Sequence, residues 1–199
     1  MYNGVYYKTY SLPPVNEREA LRYAGCKGEI SERVMQTLAQ CVNESQTAFF
    51  PRVCYRVLPV QELLTRFPES GLLKLRLQNS KEALVFAATV GIEIDRLILR
   101  YEEISPAKAL LLQGIGAERI ETLCDLFCED MAAELAQKGY AAKPRFSAGY
   151  GDFSLEAQRW FSNVLDMQRK VGVTLSESLL MTPTKSVTAV VPLIPLEEK

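Results

Sequence analysis

The chain has 199 residues, which is enough for one large domain or two small ones. Hydrophobic residues make up 48% and charged residues 24%, a composition typical of a globular protein with a sizeable core. The net charge of −1 and the lack of any basic run argue against nucleic-acid binding. The longest apolar run is far shorter than the roughly 20 residues of a membrane span, and the first residues lack a signal-peptide core, so we expect a cytoplasmic protein.

The N-terminal part is predicted to combine an extended arm, two helices and one strand. Residues 1–15 are rich in tyrosine and end in two prolines, which favours an arm that docks on the body. A short helix is expected over 16–24, and a second one runs from a capping serine, Ser31, to about residue 42. Residues 49–60 are rich in β-branched and aromatic side chains and predict a strand.

The middle of the chain is predicted to hold two further strands and two helical segments. A helical turn is expected over 61–66, and a helix over 93–101. Residues 72–77 alternate leucine with a basic residue, which predicts a half-buried strand. Residues 82–91 form a nearly continuous apolar run, which predicts a central strand covered on both faces.

A long helix is predicted to follow. Ser105 followed by Pro106 is a typical helix start, and the apolar spacing continues to about residue 138, where Gly139 ends the helix. Gly114 and Gly116 interrupt the pattern. Because glycine inside a helix costs about 1 kcal/mol relative to alanine, we expect close packing or a bend at these positions.

The C-terminal part is predicted to contain a helix from about 154 to 172 and a β-branched strand over 186–194. The helix carries four side chains that we expect to point inward: Trp160, Phe161, Val164 and Leu165. Helix pairs alternate with strands that often return antiparallel. The fold class is therefore predicted to be α+β, with a single twisted, largely antiparallel sheet flanked by helices.

The cysteines give no sign of a metal site. The chain contains five cysteines and no histidine, so it lacks the commonest metal ligand and the usual general base. Cys124 and Cys128 are four residues apart and would share one helix face. A thiolate pair is one interpretation, but core packing is favoured because free cysteine is among the most buried residue types.

The stretch R-F-S-A-G-Y-G-D-F-S, residues 145–154, has the composition of a ligand-binding loop. Arginine offers a planar fork of donors that matches a carboxylate or phosphate. Glycine accepts backbone conformations that a Cβ forbids and lets another molecule approach closely. The alternative is an ordinary strand-to-helix turn in which Arg145 is solvated at the surface.

Three motifs in order carry a resemblance to a known family. They are R-F-S-A-G-Y at 145–150, L-S-E-S-L-L-M-T-P at 175–183 followed by S-V at 186–187, and the helix over 111–131 that contains Glu121. Together they resemble the activation domain of cobalamin-dependent methionine synthase, especially its stand-alone form as a separate subunit. The similarity covers residues 83–194. It implies one structural domain over 1–199, in which residues 1–82 pack on an activation-domain-like core over 83–199.

The resemblance implies an accessory subunit that reactivates methionine synthase. Such a domain binds S-adenosylmethionine and docks on the cobalamin domain of the synthase, where inert cob(II)alamin is rescued by reductive methylation. The electron comes from a flavodoxin-type or ferredoxin-type donor. The chain would then be one component of a methyltransferase system rather than a complete enzyme, with no nucleic-acid or membrane partner.

The resemblance carries six positions over to this chain as the ligand site: Glu121, Arg145, Ala148, Gly149, Tyr150 and Val187. By this resemblance Arg145 contacts the ligand carboxylate and Glu121 is an acidic residue at the ligand site. Tyr150 faces both the ligand and the corrin. The other three are backbone contacts. Simpler interpretations are a solvated helix residue for Glu121 and a packing role for Tyr150.

The sequence also departs from the family pattern. Larger members follow the arginine–glycine–tyrosine motif with proline, cysteine and histidine, whereas this chain has G-D-F-S at 151–154. Two other functions therefore stay open. One is a pure interaction module that binds the corrinoid domain without S-adenosylmethionine. The other, ranked last, is a free-standing methyltransferase on a small molecule, because no glycine-rich turn follows a first strand.

Overall fold

The structure, a computed structural model, describes residues 4–196 and is built on one antiparallel sheet. Its strands in spatial order are β1 (Tyr6–Thr9), β2 (Arg52–Pro59), β3 (Glu82–Thr89), β7 (Ser186–Pro195) and β4 (Tyr140–Ala142). A small hairpin of β5 (Thr174–Leu175) and β6 (Met181–Thr182) lies outside this sheet. The predicted α+β fold with an antiparallel sheet is confirmed.

Eight helices in the described part of the chain cover the two faces of the sheet. They are α1 (Glu17–Tyr23), α2 (Glu32–Ser45), α3 (Val60–Arg66), α4 (Gly71–Arg76), α5 (Glu93–Ile104), α6 (Pro106–Ala136), α7 (Ala157–Val164) and α8 (Met167–Val171). Buried residues of α1, α2, α5 and α6 form one hydrophobic core, and those of α3, α4, α7 and α8 form the other. Within residues 4–196, no helix has the length and apolar character needed to cross a membrane.

Strand β3 separates the two cores, as its apolar run predicts. Leu84, Phe86 and Ala88 point into the α6 side, and Ala83 and Val85 point into the α7 side. All five are at most 1% exposed. Because both faces of the strand are covered, its sequence has no polar alternation.

The prediction of a strand over residues 72–77 is wrong, because this segment is helix α4. Ser70 caps the helix by accepting a hydrogen bond from Leu73 N–H at 3.1 Å. Leu73 and Leu77, four residues apart, are the buried leucines, so the pattern also satisfies helical spacing. A short alternating run fits both periods, and the cap decides between them.

The prediction of one helix over 154–172 is also wrong, because α7 and α8 are separate. Asp166 between them has a φ of +49°, which no helix residue adopts. Of the predicted inward side chains, Phe161 and Leu165 are fully buried, whereas Trp160 and Val164 are only partly buried. The break lets Met167 and Val171 of α8 reach the core beside β2 and β3.

The N-terminal arm docks on the body, as predicted, through a buried ion pair. Arg119 of α6 bonds its neighbour Glu118 from Nε at 2.5 Å and donates to the carbonyl of Pro13 at 2.5 Å. Glu118 accepts the backbone N–H of Asn16 at 3.2 Å. Both charged side chains are 4% exposed, and these contacts to the arm satisfy them. Residues 1–3 of the predicted arm lie outside the described residues.

The two glycines of α6 serve close packing, as predicted. A Cβ on Gly114 would lie 2.3 Å from the carbonyl oxygen of Ala20 in α1. A Cβ on Gly116 would lie 2.9 Å from Cε of Lys185, which is the flexible end of a side chain. An added Cβ would therefore clash with rigid backbone only at Gly114, whereas at Gly116 it would meet a flexible side chain.

We expect Gly114→Ala to destabilise the protein by about 3 kcal/mol, because the added methyl group pushes α1 away from α6. Gly116→Ala is the matched control, since Lys185 moves aside and alanine favours the helix by about 1 kcal/mol. Its free energy of unfolding should stay within about 1 kcal/mol of the wild type. Chemical denaturation measures both, and equal unfolding free energies for the two variants would contradict this account.

Candidate functional site

A cleft of about 1070 Å³ opens where the edge of the sheet is incomplete. The short strand β4 pairs with β7 only at residues 193–195, and one further bridge joins Phe146 to Val190. Residues 186–189 of β7 therefore have no strand beside them on this side. The cleft is bounded by α6, by α4 and by the segment 142–151 that follows β4.

The register of β7 directs backbone groups into the cleft. Val190 exchanges both of its backbone hydrogen bonds with Phe146, at 2.8 and 3.0 Å. The pairing with β3 continues without a bulge to Ser186, so the direction alternates along the strand. The N–H and C=O of Thr188 consequently face the open edge, and those of Val187 face β3. Thr188 thus offers one free donor and one free acceptor to a ligand.

Most of the predicted site residues meet in this cleft. Five of the six line it: Glu121, Arg145, Ala148, Tyr150 and Val187. Gly149 lies between two of these lining residues. The helix, the loop and the last strand that carry the three sequence motifs are therefore brought together around one cavity.

Arg145 is held between two carboxylates of α6. Its Nη2 donates to Glu121 Oε2 at 2.6 Å, and its Nη1 bonds Asp125. Glu121 and Asp125 are four residues apart, so they share the helix face that looks onto the loop. The side chain of Arg145 is 25% exposed. Partial burial acts to lower the pKa of Arg145, but the hydrogen bond to Asp125 and nearby charges raise it overall. The guanidinium thus stays charged and partly neutralised.

The two cysteines of α6 are packing residues at the back of this wall. Cys124 is fully buried, and Cys128 lines the cleft. Burial raises the pKa of Cys128 to about 11, so its thiol is protonated at neutral pH. No group of three or more His, Cys, Asp or Glu side chains in residues 4–196 is arranged to hold a metal ion.

The loop 149–153 presents Tyr150 to solvent at the mouth of the cleft. Gly149 and Gly151 have φ values of +92° and +57°, which explains why both positions are glycine. Gly149 N–H bonds the carbonyl of Phe153 at 2.7 Å, and Phe153 is buried at 1% exposure. The turn is therefore anchored in the core by Phe153, while Tyr150 is 70% exposed. Such an exposed ring is not a packing residue.

Asp152 ties this loop to α4. Its carboxylate accepts hydrogen bonds from Gly71 N–H at 2.7 Å, Leu72 N–H at 3.0 Å and the Ser70 hydroxyl at 2.9 Å. A carboxylate at a helix N-terminus accepts hydrogen bonds from the unpaired amide N–H groups and interacts favourably with the positive end of the helix dipole. Asp152 belongs to the G-D-F-S segment in which the sequence departs from the family pattern. Asp152 of this segment thus joins two walls of the cleft, the loop 149–153 and helix α4.

The last motif is fixed by a second acidic residue. Asp95 of α5 accepts hydrogen bonds from the backbone N–H and the hydroxyl of Thr184, both at 2.7 Å. Ser186 donates its hydroxyl to the carbonyl of Pro183 at 2.7 Å. These bonds hold the turn between β6 and β7. Met181 on one side of this turn and Val187 on the other both line the cleft.

Sequence reasoning missed two residues of the site. Arg76 lines the cleft from α4, whereas the predicted half-buried strand placed it on the polar face, opposite the leucines. Thr188 faces the cleft through its backbone, and only the strand register reveals this. The acidic pair Glu121 and Asp125, at helical spacing, was a signal that could have been found.

The fold belongs to a class seen in a solved structure. A comparison with solved structures finds the crystal structure of the MetH reactivation domain bound to AdoHcy, with a TM-score of 0.69 and 14% sequence identity. The match covers 98% of this chain and 80% of that chain. Comparisons with protein-family profiles and with curated protein sequences gave no match. The chain therefore has the fold of that reactivation domain.

We expect Asp152→Asn to lower the melting temperature at neutral pH, because the neutral amide is a weaker acceptor at the α4 N-terminus. Hydrogen bonds from Leu72 N–H, the Ser70 hydroxyl and Gly71 N–H lower the pKa of Asp152 from 3.8. Its stabilisation is therefore complete above pH 3.8 and is lost as the pH falls through the lowered value.

Calorimetric melting at several pH values measures this difference. The wild type and Asp152→Asn should differ at neutral pH and converge as the pH falls below the lowered pKa of Asp152. Glu69→Gln removes a nearby exposed carboxylate without this contact and serves as the control. A difference between wild type and Asp152→Asn that is the same at all pH values would contradict a role for the carboxylate charge.

Proposed function

We propose that this chain is an accessory reactivation subunit for cobalamin-dependent methionine synthase that binds S-adenosylmethionine in the cleft. The observation that supports this most is the meeting of the three motifs around one cavity, at the incomplete edge of the sheet. The fold is that of a MetH reactivation domain whose structure was determined with AdoHcy. The resemblance and the fold thus point to the same class of ligand.

The chemistry of the cleft suits a zwitterionic sulfonium ligand. Carboxylates on α6 offer negative charge to the sulfonium and ammonium groups, and arginines offer donors to the carboxylate. The free N–H and C=O of Thr188 are suited to the polar edge of a nucleoside. In this proposal Glu121, Arg145, Ala148, Gly149, Tyr150 and Val187 form the ligand site. Val187 lines the cleft, but its backbone groups face β3, so the backbone contact expected at Val187 would be made by Thr188 instead.

The proposed reaction needs no general base on this chain. A flavodoxin-type or ferredoxin-type donor gives one electron to cob(II)alamin on the partner, which produces cob(I)alamin. Cob(I)alamin then takes the methyl cation from the sulfonium, and the carbon–sulfur bond breaks with its electron pair left on sulfur. The products are methylcob(III)alamin and S-adenosylhomocysteine. Because no proton moves, this chain contributes orientation and charge, and the absence of histidine is no obstacle.

The proposed docking surface surrounds Tyr150. Its ring projects from the mouth of the cleft, and large exposed apolar side chains lie on the neighbouring segments, among them Leu155 at 43% and Leu180 at 67% exposure. Tyrosine is a frequent interface anchor because it is large, rigid and polar only at its tip. A corrinoid domain seated here would face the sulfonium methyl group directly.

We expect Arg145→Ala to weaken S-adenosylmethionine binding by about 2 to 4 kcal/mol. The substitution removes a cation from the cleft wall and leaves Glu121 and Asp125 without their partner. Arg169→Ala is the matched control, since Arg169 forms an exposed ion pair with Asp166, outside the cleft. Isothermal calorimetry measures the affinities, and circular dichroism confirms that both variants fold.

Two results would count against this function. Equal affinity of the wild type and Arg145→Ala would remove Arg145 from the site. No binding of S-adenosylmethionine to the wild type, together with retained association with a corrinoid-loaded synthase, would favour the pure interaction module instead.

A further inference from the structure

A buried glutamine in the wall of the cleft has unused hydrogen-bond donors. Gln158, in the first turn of α7, is 4% exposed and lines the cleft. Its carboxamide oxygen accepts a hydrogen bond from the Thr188 hydroxyl at 2.9 Å. Among residues 4–196 its amide nitrogen has no hydrogen-bond partner. Because an unpaired polar group in a buried position costs free energy, this nitrogen is suited to an acceptor that enters with a ligand.

The fold fixes the position of this carboxamide from two sides. Ala157 and Phe161 of α7 are fully buried, which sets the rotation of the helix. The hydroxyl of Thr188 holds the carboxamide against β7. The same Thr188 offers its backbone N–H and C=O at the open edge of the strand. The side-chain donors of Gln158 therefore lie beside a backbone donor and a backbone acceptor.

This part of the cleft is its uncharged side, because α7 and β7 contribute only uncharged residues to the lining. The charged lining residues belong to α4, to α6 and to the segment after β4: Arg76, Glu121, Glu129, Lys143 and Arg145. The charged amino-acid end of a sulfonium nucleoside is favoured beside those groups, and its neutral base is favoured beside α7 and β7. This placement is consistent with a carboxylate contact at Arg145.

We propose that Gln158 recognises the base of the ligand by donating a hydrogen bond from its amide nitrogen to a ring nitrogen of adenine. Adenine combines an amino donor with the ring acceptors N1, N3 and N7. The backbone of Thr188 takes one donor and one acceptor of the base, and Gln158 takes a further ring nitrogen. A base without an acceptor at that position leaves the buried amide unpaired. This inference rests on the proposed function for the identity of the ligand.

The test is a binding cycle with S-adenosylhomocysteine and its 1-deaza, 3-deaza and 7-deaza analogues, in each of which one ring nitrogen is replaced by C–H. We expect Gln158→Leu to weaken binding of S-adenosylhomocysteine by about 10-fold, as loss of a buried hydrogen bond does. For one of the three analogues the wild type already lacks this bond, so the same substitution should change that affinity by less than about 2-fold. Gln168→Leu, at an exposed position of α8 outside the cleft, is the matched control and should change none of the four affinities.

The side-chain amide of Gln158 gives a second readout in the wild type, which does not depend on the folding of any variant. S-adenosylhomocysteine should shift the NMR signal of one of its two amide protons downfield. The analogue identified by the binding cycle should leave that signal close to its position in the free protein. A purely structural role of Gln158 would not distinguish the ligands in this way.

The outcomes separate this inference from the proposed function. If the wild type binds all four ligands but Gln158→Leu weakens them equally, or weakens none of them, the inference is overturned and the proposed function stands. An amide signal that responds in the same way to all four ligands overturns it as well. If the wild type binds none of the four ligands, the proposed function fails and the role of Gln158 fails with it.

Discussion

The contact of Arg145 with Glu121 and Asp125 is the interaction on which the cleft depends. It joins the segment that follows β4 to the middle of α6, across the place where the sheet has no outer strand. Exposed ion pairs contribute little to stability, but here one guanidinium bonds two carboxylates and is itself partly buried. The contact therefore fixes geometry and charge at once, because it holds the acidic wall in one position beside the open edge of β7.

The opposite wall depends on a contact of the same kind. Asp152, from a distant loop, adds hydrogen bonds to the local Ser70 cap of α4, so that α4 and the loop of Tyr150 form one unit. One acidic residue thus positions both the exposed tyrosine and Arg76. In this chain the loop that carries Tyr150 is held in place by the Asp152 carboxylate, which accepts hydrogen bonds at the N-terminus of α4.

The sequence predicts those features whose cause is local. The apolar run of β3, the start of α6 at Ser105-Pro106 and the glycines of α6 are all found in the structure. Helix α4 could not be predicted, because part of its cap comes from Asp152, 81 residues from Gly71. The pairing of Arg145 with α6 and the direction of the Thr188 backbone also depend on tertiary contacts and strand register. The motifs located the cleft, but its walls are joined by contacts between residues that are far apart in the sequence.

The central claim is that this cleft presents S-adenosylmethionine to a corrinoid partner, and the spectrum of cob(II)alamin tests the docking most directly. The purified chain is mixed with cob(II)alamin-loaded methionine synthase while the visible bands and co-elution are followed. The account predicts a shift of the bands with the wild type and a weaker response with Tyr150→Ala, which leaves folding intact. No spectral change and no co-elution of the wild type, at micromolar concentrations of both proteins, would contradict it.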